Sequence, residues 1–123
     1  MKLLIAIVVL AAFAQGESPI AGRIRIERTL GGDQFGPAEI VVWAGDLVHW
    51  SNETGEVHEP GVLRRDGTFV AFLERPVAPG TTSPVFSPLA RVDGSDNQVA
   101  FTINYVCGRH RNEKGVIQVV PTP

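Results

Sequence analysis

Beyond its N-terminal apolar run, this chain has no stretch in which apolar residues recur with the 3.6-residue period of a helix. Short runs of β-branched and aromatic residues recur instead, separated by Gly, Pro, Asn and Asp. Thirteen glycines and nine prolines supply the turns that such a pattern requires. The pattern predicts strands over residues 23–30, 39–43, 47–51, 68–72, 82–86, 99–106 and 116–120, and no internal repeat. Short strands with no intervening helices imply an all-β sandwich of about seven to eight strands. The polar stretch 87–98 reads as an irregular surface connection, and Arg64-Arg65-Asp66-Gly67 as a charged turn.

Side chains along a strand point alternately to its two faces. Val99, Phe101, Ile103, Tyr105 and Cys107 share one parity, which predicts that Cys107 points inward at the end of its strand. Over 46–52 the same alternation puts Val48 and Trp50 inside and turns His49 toward solvent.

The first residues read as a leader rather than as part of the fold. Met1-Lys2 gives a positive start, residues 3–13 form an apolar run too short to span a bilayer, and Ala12-Phe13-Ala14 fits an A-x-A cleavage site. Residues 1–14 are therefore expected to be a signal peptide, and 15–123 a single domain exported to the periplasm or secreted. No other apolar stretch reaches spanning length, so no membrane span is expected. The whole chain has thirteen acidic against eleven basic residues; loss of Lys2 leaves a net charge of −3. Without a basic cluster, nucleic acid is excluded as a partner.

One cysteine in an exported chain forms no internal disulfide, so Cys107 is buried and inert, paired between chains, or held by a metal. His110 lies three residues after it and His58 upstream. One thiolate and two imidazoles suit copper, and a trigonal Cys plus two His set is the ligand set of a blue-copper electron-transfer centre. The same set also satisfies tetrahedral zinc.

Val42-Trp43-Ala44-Gly45-Asp46-Leu47-Val48-His49-Trp50-Ser51-Asn52, followed by His58, resembles the V-x-x-G-D-x-V-x-W-x-N…H half-motif of the cupredoxins. Tyr105-Val106-Cys107-x-x-His110 with Gly115-Val116-Ile117-Gln118-Val119 resembles the family's Y-x-C-x-x-H…G-x-I-x-V ending, its loop spacing nearest that of amicyanin. Ala78-Pro79-Gly80 and then Phe86 resembles the intervening P-G…F element. The resemblance implies a Greek-key β-sandwich in which His58, Cys107 and His110 bind one copper ion. It implies a mobile carrier of single electrons between redox proteins, a monomer and not an enzyme. A copper-binding or delivery protein, or a carboxylate-ligated redox protein, is the alternative.

Two departures from the family pattern bear on that reading. The usual axial ligand is methionine, and the only methionine here is Met1. Amicyanin-type spacing puts Glu113 at the axial position, and a hard carboxylate there favours Cu(II), lowers the potential and makes the site less blue. Gln118 offers an amide oxygen but lies on a predicted strand. Arg109 and Arg111 flank His110, where the relatives carry proline or apolar residues, and are expected either to steer an acidic redox partner or simply to solvate the loop.

Overall fold

The computed structural model describes residues 20–122, so the expected leader 1–14 and the chain start at Gln15 lie outside the described residues. β1 (Ile20–Thr29) alternates, with Gly22, Ile24 and Ile26 buried and Arg23 and Arg25 exposed. It turns through Leu30-Gly31 into the antiparallel β2 (Gly32–Gly36), Ile26 lying opposite Phe35. Gly32 takes a φ of +110°, a conformation that a Cβ disfavours. The other edge of β1 runs parallel to β4 (Leu47–Asn52), with Ile24 beside Trp50.

The second sheet contains β3 (Glu39–Trp43), β10 (Lys114–Val120), β9 (Phe101–Cys107), β5 (Pro60–Leu63) and β6 (Phe69–Ala71), in that spatial order. β3 pairs parallel to β10, and the other neighbours are antiparallel. Ile24, Ile26, Phe35, Val48 and Trp50 from the first sheet meet Val42, Tyr105, Cys107, Ile117 and Val119 from the second in one core. Both parity expectations for these inner faces hold: Val48 and Trp50 are buried, as are Tyr105 and Cys107. Trp50 anchors the core, its Nε1–H donating to Tyr105 Oη at 3.3 Å, with the two rings edge to face at 5.7 Å. No helix among the described residues is long and apolar enough to cross a membrane.

Ten strands form among the described residues, more than the sequence predicts. β2 has one strong β-former, Phe35, between two glycines, and β5 opens on Pro60-Gly61, so neither shows in the pattern. Tertiary pairing makes them strands: Pro60 lies opposite Cys107 and Gly61 opposite Ala71. Residues 82–86, predicted as a strand, form only the isolated bridges Ser51–Thr82 and Val48–Phe86 along the edge of β4. Pro84 has no N–H to continue that ladder, and the Ser83 hydroxyl accepts the Trp50 N–H at 3.0 Å.

The connection 87–98 is exposed for most of its length but ends in part of a small hairpin, β7 (Arg91–Val92) with β8 (Gln98–Val99). Val99 belongs to that hairpin and is exposed, so the inward alternation of β9 starts only at Phe101. The charged turn at 64–67 forms as expected, with the Gly67 N–H donating to the Arg64 carbonyl at 3.0 Å. His49 is half-buried rather than fully solvent-facing, and lies beside Arg23 in the β1–β4 register.

Candidate metal centre

Cys107 ends β9 with its side chain inward, and the hairpin loop that follows returns to β10 through two consecutive turns. The His110 N–H donates to the Cys107 carbonyl at 3.2 Å and the Glu113 N–H to the His110 carbonyl at 2.9 Å. The Cys107 N–H closes the ring on the Glu113 carbonyl at 3.0 Å. Two turns stepping by three residues bring the side chains of 107, 110 and 113 together. Gly108 sits where a Cβ would fall 2.7 Å from the Phe69 ring, so the loop lies too close to β6 for a larger residue. The Glu59 N–H points at Cys107 Sγ from 3.4 Å.

His58 arrives from the loop after β4, its backbone exchanging hydrogen bonds with Val77 at 3.2 and 2.8 Å. Asn52 shapes that loop from within. Its Nδ2 donates to the carbonyls of Glu56 at 2.7 Å and Val77 at 3.0 Å, and its Oδ1 accepts from the Thr54 N–H and Oγ1–H at 3.0 and 2.8 Å. All four hydrogen-bonding positions of this buried amide are thereby used. His58 is fully buried, and desolvation pushes it below the usual imidazole range, which keeps it neutral.

The donor atoms of His58, Cys107, His110 and Glu113 all lie within 4.8 Å of one another. Cys107 Sγ is 3.8 Å from both His58 Nδ1 and His110 Nδ1, and Glu113 Oε1 is 3.1 Å from His58 Nδ1. Bonds of about 2.3 Å to sulfur and about 2.05 Å to nitrogen, set about 120° apart, separate the two ligand atoms by about 3.8 Å. Glu113 is 4 % exposed, yet neither carboxylate oxygen has a hydrogen-bond partner among the described residues. Desolvation first, then the charges of Asp33 and Glu56, push it up to about 7. A buried carboxylate without partners is costly in a metal-free fold and is relieved by a cation beside it. These residues fit a single soft or borderline divalent metal.

The structure thus brings together the four residues singled out in the sequence. His110 is the most open of them, its side chain 41 % exposed and its Nε2 3.5 Å from Glu56 Oε2. Arg109 and Arg111 are exposed on either side of it. Gln118 lies apart, its Oε1 accepting from Thr102 Oγ1 at 2.7 Å. A cleft of about 450 Å³, lined in part by Arg28, Asp33, Glu56, His110 and Glu113, opens beside the centre. Sequence reasoning missed Asp33, Thr54 and Glu56 as neighbours of His58. The Gly31-Gly32 pair after an alternating run was the available signal for the hairpin that carries Asp33.

No protein-family profile and no curated protein sequence matches the chain. Among solved structures, a purple cupredoxin from Nitrosopumilus maritimus superimposes with a TM-score of 0.58 at 17 % identity, covering 80 % of this chain and 98 % of that one. Amicyanin from Paracoccus versutus gives 0.57 at 17 % identity, covering 89 % of this chain and 87 % of that one. The Cu(I) form of an amicyanin point variant gives 0.57 at 18 % identity, over 89 % and 88 %. The two-sheet topology, the core and these superpositions agree that the chain has the cupredoxin fold.

Proposed function

We propose that this chain is an exported member of the cupredoxin family that binds one copper ion and carries single electrons between partner proteins. His58, Cys107 and His110 are the principal ligands and Glu113 the fourth. The observation that carries the reading is the convergence of one thiol and two imidazole Nδ1 atoms on a buried, unpartnered carboxylate. Bound copper supplies a one-electron Cu(II)/Cu(I) couple. The chain supplies the rest. Cys107 and His58 sit fully buried on a β scaffold and are held against rearrangement. Glu113 contributes a hard negative donor that favours the oxidised state and lowers the potential. His110 is the open edge where a partner comes nearest, and Arg109 and Arg111 steer an acidic partner to it. Residues 1–14 direct export to the periplasm or the exterior, and 15–123 act as a monomeric domain without enzymatic activity.

A copper-binding or delivery role is the second reading, favoured by the cleft that reaches Glu113 beside His110. Zinc in place of copper is tested by the same experiment. Purified protein is titrated with Cu(II) and with Zn(II), and the copper form is examined by voltammetry. The carrier reading expects one tightly held copper per chain and a reversible one-electron wave. Copper lost to a mild chelator without a reversible wave indicates delivery, and a preference for zinc over copper overturns both copper readings.

A further inference from the structure

The β1–β2 hairpin brings a carboxylate to the side of His58 remote from Cys107. Asp33 Oδ2 lies 3.1 Å from His58 Nε2, and Thr54 Oγ1 lies 2.9 Å from the same nitrogen. The Thr54 hydroxyl hydrogen is engaged by Asn52 Oδ1 at 2.8 Å, and Asn52 is itself oriented by donating to the Glu56 and Val77 carbonyls. Thr54 Oγ1 and Asp33 Oδ2 therefore both face Nε2 as acceptors. Two acceptors facing Nε2, against the single Glu113 Oε1 that faces Nδ1 from 3.1 Å, favour a hydrogen on Nε2, which leaves the Nδ1 lone pair directed toward Cys107 and Glu113.

Asp33 is held in place from its other side. Its side chain is 8 % exposed, and Oδ1 accepts from Arg28 Nε at 3.0 Å, the two residues lying directly opposite each other across β1 and β2. The hydrogen bond from Arg28 keeps Asp33 below the usual carboxylate range, so it stays ionised. A charged acceptor makes a stronger hydrogen bond than the neutral Thr54 hydroxyl, and Asp33 is thus the dominant partner of Nε2.

We propose that Asp33, clamped by Arg28, is a positioning residue for the metal centre: it fixes His58 as the Nε2–H tautomer and makes its imidazole a stronger donor that favours the oxidised metal. The tautomer stands on the protein alone, and the effect on the oxidised metal rests on the copper reading above. A carboxylate behind a ligating imidazole fixes the ring and raises its basicity, and losing such a partner typically costs about 10–100-fold in metal affinity.

The test has two parts. Long-range proton–nitrogen correlation spectra of the ¹⁵N-labelled, metal-free, reduced chain read the His58 tautomer without any substitution. Nε2–H is expected, and Nδ1–H overturns the proposal. Asp33→Asn, whose fold is checked in the same spectra, is then loaded with Cu(II) and Cu(I). Its Cu(II) affinity should fall about 10–100-fold and its Cu(I) affinity less, raising the potential by about 59 mV for each tenfold difference. An unchanged potential and Cu(II) affinity overturn the tuning role. If neither protein binds copper while His58 remains Nε2–H, the copper reading fails and the positioning role stands.

Discussion

Glu113→Gln in the metal-free protein separates the charge of this carboxylate from its shape. The folded acid is 4 % exposed and has no hydrogen-bond partner for either oxygen, and Asp33 and Glu56 add negative charge nearby. These effects lift it from 4.5 to about 7. The folded state therefore holds the Glu113 proton more tightly than the unfolded state does. Its contribution to stability is complete below about pH 4.5 and is lost as pH rises through about 7, for a total of about 3 kcal/mol by about pH 8. Glutamine does not titrate, and any penalty from its unpaired amide is constant with pH. Urea unfolding with chelator and reductant present, from about pH 4 to about pH 8, should show the variant gaining on the wild type by about 3 kcal/mol. A difference that does not change with pH would refute the claim that this carboxylate is desolvated without metal.

Asn52→Ala leaves the Thr54 N–H without its partner and removes one of two donors to each of the Glu56 and Val77 carbonyls, and chemical unfolding should show a loss of about 2–4 kcal/mol; a loss below about 1 kcal/mol would mean that the loop does not depend on this amide. Gly115→Ala places a Cβ in the space of the Tyr105 ring, which receives the Trp50 indole hydrogen bond. It should cost about 1–3 kcal/mol and alter the near-ultraviolet circular dichroism of these aromatics. Stopped-flow oxidation of the reduced copper protein by an anionic complex should slow as salt rises from about 0.01 M to about 0.5 M, and Arg109→Glu with Arg111→Glu should reverse that trend. Salt dependence identical in the wild type and the double variant would remove the steering role of these arginines.

Most of the fold was legible because it rests on local alternation, and the four-residue cluster because its two segments resemble the two halves of a family motif. Alternation marked Trp50, Tyr105 and Cys107 as inward, and the resemblance of the 105–119 segment to the family's ending marked His110 and Glu113 as candidate ligands. β2 and β5 were hidden because Gly32, Gly36, Pro60 and Gly61 lack strand propensity and are placed by pairing with distant partners. Asp33 was hidden for the same reason: it is 25 residues from His58 in sequence, and only the hairpin register carries it there. Thr54 and Asn52 lie close to His58, but their hydrogen-bond roles depend on a loop conformation that periodicity does not encode. The false strand at 82–86 came from weighting β-branched and aromatic residues above Pro84, whose missing N–H limits the segment to isolated bridges.

Copper binding by Cys107 and its neighbours is read from the visible and electron paramagnetic resonance spectra of Cu(II)-loaded wild type, Cys107→Ser and Glu113→Ala. The wild type should show an intense thiolate-to-copper band, Cys107→Ser none, and Glu113→Ala a shifted band with narrowed hyperfine splitting. A wild type without a thiolate band, or a band that survives Cys107→Ser, would contradict copper binding by Cys107.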